Sequence, residues 1–301
     1  MNIVVLGAGA IGSLFGALLS SKNNVVLIGR KPHVDVINKK GLKIEGITKL
    51  KVKIDARESI NKIDFSPDLI ILAVKSYDTE SAVKKASKVI CKNTIVLSLQ
   101  NGIDNIDKIK KYIESEKILV GVTTHGALFL NPGIIRHTGK GSTILGKLSG
   151  GKTVQLKDLV ELFNKSGIYT ISSDNIIGEL WIKAIVNSSI NPLTAIFQCK
   201  NGYLLENPVL ERLVEITCLE STDIANTQGY SFFSHEDMIK ITKKVIRNTS
   251  DNYSSMLQSV KRGKKTEIDS INGKIMDFGK KNRVKSSMNE ILTEYIQSLY
   301  A

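Results

Sequence analysis

Residues 179–193, ELWIKAIVNSSINPL, hold the side chains best suited to chemistry on a small polar ligand. Residues four apart share one face of a helix, so Glu179, Lys183, Asn187 and Asn191 form a polar stripe. Leu180, Trp181, Ile182, Ala184, Ile185, Val186 and Ile190 surround that stripe, and a helix that is apolar nearly all round is a buried one. An ammonium and two carboxamides in such a helix need partners, because unpaired buried polar groups are costly. Either a tertiary network or a ligand supplies those partners, and the stripe alone leaves both readings open. Pro192 is expected to end or kink the helix just past Asn191.

A second polar concentration follows. Asn248, Asn252 and Ser255 are spaced by four and three residues in a stretch that reads as helical. Beyond Gly263, Thr266 is expected to cap a new helix with Asp269 as its capping-box partner. That places Glu267 in a first turn, where the helix dipole favours a carboxylate and a purely local stabilising role is the ordinary reading. His125 and His137 have no partner at a fixed spacing, so they read as structural histidines.

The elements that must position these residues begin at the N-terminus. Residues 2–6, NIVVL, read as a short buried strand, and GAGAIG follows with Gly7, Gly9 and Gly12 in GxGxxG spacing. In a strand–turn–helix context this pattern lets a pyrophosphate approach the backbone at a helix N-terminus, and Gly16 extends the close-packing face of that helix. A second strand at 25–28 ends in Gly29 and Arg30. Sites that prefer NAD carry an acidic residue near this position for the ribose hydroxyls. A guanidinium suits a phosphate instead, so Arg30 favours NADP(H).

Further buried strands are expected at 69–74, closed by Lys75, and at 94–99, ending in Gln100, Asn101 and Gly102. Ligands of open α/β sheets bind beyond the carboxyl ends of the strands, which directs Lys75 and Asn101 to the cofactor crevice. Residues 42–54 read as extended, 118–124 as another strand, and 126–146 as antiparallel structure with glycine turns. A helix from Val154 stops at Gly167, and 168–171 form a last strand. The period then becomes helical to the end. The expected fold class is therefore α/β, a Rossmann-type dinucleotide-binding domain over residues 1–172 followed by an all-helical C-terminal domain over 173–301.

The totals fit that plan. A chain of 301 residues with 42% hydrophobic residues can bury a substantial core. No apolar run approaches the roughly 20 residues of a membrane span, and no leader-like segment is evident. Cys91, Cys199 and Cys218 have neither CxxC nor metal-ligand spacing, so reduced thiols in a cytoplasmic protein and no metal site are expected. The net charge of +13 comes from lysines scattered over helix faces, without a dense basic tract and with only 6% aromatics. It reads as a solvated surface that steers anionic small molecules and not as a nucleic-acid or membrane interface.

Taken together, GAGAIG, LAVKSYD around Lys75, QNG around Asn101, HTGKG at 137–141, ELWIKAIVNSSINPLTAIF at 179–197 and NYSSMLQSVKRGKKTEIDSING at 252–273 resemble the ketopantoate reductase (2-dehydropantoate 2-reductase) family over nearly the whole chain. The resemblance implies NADPH-dependent reduction of the C2 carbonyl of ketopantoate to (R)-pantoate, on the route to pantothenate and coenzyme A, by a monomer or homodimer. It implies that Lys183 is the general acid, and that Glu267 hydrogen-bonds the reacting oxygen and helps to set the lysine. Ser255 and the neighbouring Asn252 would hold the substrate carboxylate, while Asn187 and Asn191 hold the terminal hydroxyl. Gly7, Ala8, Gly9, Ala10, Ile11 and Gly12 would form the cofactor loop, with Arg30 and Lys75 at the adenosine phosphate and the cofactor. Asn101 would lie between nicotinamide and substrate, and Glu267 would also border the cofactor.

The chain departs from the family in having Ser286 and Ser287 where members often carry proline before the last helix. The alternatives are a reductase of another small 2-oxo acid on the same fold and a non-catalytic NADPH-binding sensor. The paired asparagines argue against the first, and the presence of Lys183 and Glu267 against the second.

Overall fold

The computed structural model describes residues 1–299. Two compact units emerge: Met1–Gln100 with Asn105–Ile176, and Asn101–Asp104 with the residues from Ile177 onward. The break falls four residues past the expected 172, and the short segment after β7 (Ile95–Ser98) belongs to the helical unit.

The first unit runs β1 (Asn2–Leu6), α1 (Ala10–Leu19), β2 (Asn24–Ile28), α2 (Lys31–Lys40), β3 (Leu42–Gly46), β4 (Leu50–Val52), β5 (Asp55–Arg57), β6 (Leu69–Leu72) and α3 (Thr79–Ala86). After β7 come α4 (Asn105–Lys110), β8 (Ile118–Thr123), β9 (Gly126–Asn131), β10 (Ile134–Gly139), β11 (Thr143–Lys147), α5 (Val154–Lys165) and β12 (Thr170–Ser172). The larger sheet has the order β12-β11-β8-β7-β6-β1-β2-β5, parallel except where β11 meets β8. Its central strands are continuous Val, Ile and Leu runs because both faces are covered. A smaller sheet, β4-β3-β10-β9, is the extended structure expected at 42–54 and 126–139.

Helix α1 packs against β1 and β2 on one side and against β3, β9 and β10 on the other. This placement between two sheets explains why Leu14, Phe15, Ala17 and Leu19 all lie at 0% exposure. The expected strands are present with ends shifted by one or two residues. Strand β6 stops at Leu72 because the chain leaves the ladder: the Val74 carbonyl accepts from Gln100 Nε2 at 2.9 Å.

The second unit contains α6 (Ile176–Ile196), α7 (Tyr203–Glu206), α8 (Pro208–Asn226), α9 (His235–Asn248), α10 (Ser255–Val260), α11 (Asn272–Asn282) and α12 (Ser287–Ser298). Its core joins Trp181, Ile185 and Ile190 of α6 to Val214 and Cys218 of α8, Ile246 of α9, Ile275 of α11 and Leu292 of α12.

Three local expectations are corrected here. Pro192 does not end α6, which runs on to Ile196. A proline removes the donor for the carbonyl four residues back, and Asn272 Nδ2 takes the place of that donor, reaching the Ser188 oxygen at 3.1 Å. Residues 248–260 are not one helix. Helix α9 ends at Asn248, Asn252 lies in the connection, and Ser254 caps α10 by accepting from Leu257 N at 3.1 Å. Thr266 starts no capping box either: a 3-10 turn, Ile268–Ser270, follows Glu267, and Asp269 is drawn aside to accept from Gln297 Nε2 at 2.7 Å.

The serines at 286 and 287 leave α12 without a side-chain cap of its own. The Glu220 carboxylate caps it from α8, accepting from Met288 N at 2.9 Å and Asn289 N at 2.8 Å.

Candidate active site

In the first unit the glycine loop links β1 to α1. Gly7 has φ +106°, and a Cβ there would stand 2.5 Å from Val74 N, against the main chain that follows β6. A Cβ on Gly12 would overlap the Gly7 carbonyl oxygen. Around Gly9, by contrast, nothing lies within 4 Å of a built Cβ. Gly9 is the N-cap of α1 and provides no side-chain cap, so the first-turn N–H groups of Ala10, Ile11 and Gly12 open onto that space. The cradle suits a pyrophosphate: closed where the backbone must turn, open where an anion must enter. Ala8 is buried, and its N–H donates to the Ile28 oxygen at 2.8 Å, fixing the loop to β2.

Arg30 is exposed at the N-cap of α2, one residue beyond Gly29. Lys75 is half-buried at the cap of the 3-10 turn Ser76–Asp78. Gln100, read from sequence only as a strand end, ties this region together. Its Nε2 donates to the Val74 oxygen at 2.9 Å and to Thr79 Oγ1 at 2.7 Å, and its Oε1 accepts from Ser98 Oγ at 3.2 Å. A carboxamide directly after an apolar strand was the available signal.

His125 and His137 lie in the core of this unit. Their facing ring nitrogens are 3.2 Å apart, and Thr48 Oγ1 lies 2.9 Å from His137 Nδ1. Burial pushes His125 down to about 4 and lowers His137 as well, so both are neutral structural groups.

In the second unit the polar stripe lies on α6, as its spacing predicts. Lys183 and Asn187 are half-buried and Asn191 is 7% exposed. Desolvation brings the Lys183 ammonium down to about 8, while the Glu267 carboxylate pulls in the opposite direction. Glu267 is 6% exposed, just ahead of the 3-10 turn, and accepts from Asn101 Nδ2 at 3.5 Å. The Asn101 segment is itself held on that turn: Ser270 Oγ donates to Asp104 Oδ2 at 3.2 Å, and Ile103 N to the Ser270 oxygen at 3.3 Å. Sequence spacing offered no route to this clasp, which spans 166 residues.

Near the other end of the stripe, Thr194 Oγ1 donates to Ser254 Oγ at 2.7 Å, and Ser254 Oγ lies 3.5 Å from the Asn191 oxygen. The connection containing Asn252, and with it Ser255 at the start of α10, is thereby fixed beside the Asn191 main chain. Ser255 is exposed and Asn252 half-buried. Burial alone raises the Glu179 carboxyl above its ordinary range. Lys183, Glu267 and Asn101 are thus grouped at one end, and Asn191 with the 252–255 connection at the other.

Among the described residues no group of three or more His, Cys, Asp or Glu side chains is arranged to hold a metal, and no helix is long and apolar enough to cross a membrane. The chain matches the family model described as ketopantoate reductase PanE/ApbA over residues 3–150 and its C-terminal companion over residues 175–299.

The chain belongs to the ketopantoate reductase family.

A 2-dehydropantoate 2-reductase of Pyrococcus abyssi is 44% identical over 293 residues, covering 97% of this chain and 95% of the relative. Among solved structures, a family ketopantoate reductase from Ralstonia eutropha JMP134 is 29% identical with a TM-score of 0.91, covering 100% of this chain and 98% of its own. A D-mandelate dehydrogenase with NADH and anilino(oxo)acetate is 31% identical with a TM-score of 0.94, again covering 100% and 98%. Family membership accounts for the division into an α/β half and a helical half.

Proposed function

We propose that this protein reduces 2-dehydropantoate to (R)-pantoate with NADPH, a step toward pantothenate and coenzyme A, and that it does so in the cytoplasm. The observation that carries the reading is the Lys183 ammonium, brought to about 8 by burial and faced by the Glu267 carboxylate, on the helix that also bears Asn187 and Asn191. When bound, a reduced nicotinamide supplies the hydride that attacks the carbonyl carbon. Lys183 Nζ gives its proton to the oxygen that becomes the alkoxide, and a positioned acid of this kind contributes roughly a hundred- to ten-thousandfold in rate. Glu267 orients that ammonium and accepts from Asn101. Asn187 and Asn191 offer donors and acceptors to the hydroxyl end of the substrate, and Ser255 and Asn252 take its carboxylate. Ala8, Gly9, Ala10, Ile11 and Gly12 receive the pyrophosphate behind the turn at Gly7, Arg30 takes the adenosine phosphate, and Lys75 borders the cofactor.

A second reading, a reductase of an aromatic 2-oxo acid, draws support from the D-mandelate dehydrogenase neighbour. A phenyl ring would leave Asn187 and the 7% exposed Asn191 without partners, and a site built to bond a hydroxyl rejects an analogue that lacks it. Steady-state oxidation of NADPH and of NADH with ketopantoate, 2-oxoisovalerate and phenylglyoxylate separates the two. Ketopantoate with NADPH is expected to give the highest kcat/KM; a preference for phenylglyoxylate would overturn the assignment of the asparagines.

The same assay run against pH tests the role of Glu267. An acid that must be protonated loses activity as pH rises through its pKa, so kcat/KM is expected to fall above about 8. Glu267→Gln removes the carboxylate that raises the lysine, so that alkaline limb is expected to move to lower pH. A limb that stays in place or moves up would remove Glu267 from this role.

A further inference from the structure

Behind the polar stripe of α6 lies a relay of buried amides that the proposed chemistry does not use. Its last member is Asn272, 0% exposed at the first position of α11. Asn272 Nδ2 donates to the Ser188 oxygen at 3.1 Å and to Asn289 Oδ1 at 3.0 Å. Asn289 Nδ2 in turn donates to Glu220 Oε1 at 2.7 Å and to Ser221 Oγ at 3.1 Å.

The direction of the relay follows from the carboxylate at its end. An ionised carboxylate only accepts, so Asn289 must present its NH2 to Glu220, which turns its Oδ1 toward Asn272. Asn272 must then present its own NH2, and one of its two hydrogens remains for the Ser188 carbonyl. Asn272 Oδ1 is left buried without a partner among the described residues. That orientation is costly for the side chain itself, and what it secures is the bond to Ser188.

The Ser188 carbonyl is the one that Pro192 leaves without a helical donor. It sits between Asn187 and Asn191, one residue after the first and three before the second. Ser188 is further tied down by its hydroxyl, 3.0 Å from Ser221 Oγ. We infer that Asn272, aimed by Asn289 and Glu220, is a positioning residue for substrate binding: it fixes the proline-interrupted turn of α6 and thereby the relative placement of the Asn187 and Asn191 side chains. This inference rests on the reading that those two asparagines hold the substrate.

The test uses the proline itself. Asn272→Leu removes the donor, and Pro192→Ala returns a main-chain N–H to the same carbonyl. With the 2-oxo acid that the parent protein reduces, Asn272→Leu is expected to raise KM about tenfold while KM for the nicotinamide cofactor is unchanged. The paired variant is expected to return KM to within about threefold of the parent. A merely structural Asn272 would lower the thermal midpoint and leave KM alone, and that result in a folded Asn272→Leu protein overturns the inference, as does a paired variant whose KM stays high. If Asn272→Leu does not fold, Asn272→Ser takes its place in the same assay: a raised KM for the 2-oxo acid that Pro192→Ala reverses supports the inference, and an unchanged KM overturns it. Asn187→Ala in the same assay isolates the underlying reading. An unchanged KM there defeats the substrate assignment, and the relay is then judged by amide exchange over residues 188–191: faster in Asn272→Leu and restored in the paired variant if it holds, the same in all three proteins if it does not.

Discussion

Lys183→Ala is expected to lower kcat by on the order of a hundred- to ten-thousandfold while leaving the affinity for NADPH close to that of the parent. The separation follows from where the residues are. Lys183 projects from α6 in the helical unit, whereas the glycine loop belongs to the α/β unit. Lys183→Arg is expected to rescue little, because a guanidinium keeps its proton at any working pH, whereas the acid proposed here is an ammonium that burial has brought to about 8. Stopped-flow oxidation of NADPH measures the first quantity and fluorescence titration the second. A variant with kcat near that of the parent would remove Lys183 from the reaction.

The second large effect is expected at Gly12. An alanine methyl there overlaps the Gly7 carbonyl oxygen, a main-chain atom held by the Gly9 N–H at 2.7 Å. The loop must distort, and Gly12→Ala is expected to weaken NADPH binding by about a hundredfold, near 2.7 kcal/mol, and to lower the thermal midpoint of the cofactor-free protein. Gly9→Ala is the control. Its methyl meets nothing within 4 Å, and the residue has φ −82°. The cofactor-free protein should therefore melt like the parent, yet bind NADPH more weakly because the methyl intrudes where the pyrophosphate sits. If both variants bind as the parent does, the cradle is not a phosphate site.

How much of this was legible beforehand depended on the range of each interaction. The glycine loop, the buried strands and the Lys183–Asn187–Asn191 stripe are set by neighbours within a few residues, and periodicity exposes them. Family membership was carried by long local motifs, each readable in one pass. The errors came where a distant partner overrides a local rule. Pro192 was expected to end or kink its helix, which instead runs on to Ile196 while Asn272, eighty residues on, supplies the missing donor. Thr266 and Asp269 have capping-box spacing, but Gln297 draws the aspartate away. Asn248 and Asn252 have helical spacing, yet Ser254 caps a new helix between them and Val260. Gln100 and the Asp104–Ser270 clasp were missed for the same reason, since their meaning lies in partners 21 to 166 residues away.

The placement of α1 between two sheets bears on how cofactor preference can change over evolution. Most of that helix is buried between the sheets, from Gly12 to Ala17 and at Leu19, so the loop it carries is held by core packing. Arg30, by contrast, stands exposed at the start of α2. On the proposed placement of the cofactor, affinity for a dinucleotide is tied to the stability of the α/β unit, while discrimination at the adenosine ribose rests on a residue that can be exchanged at little cost to folding. A lineage can then drift between phosphorylated and unphosphorylated cofactors with its architecture intact. The NADH-bound neighbour with a TM-score of 0.94 has the form expected of such drift.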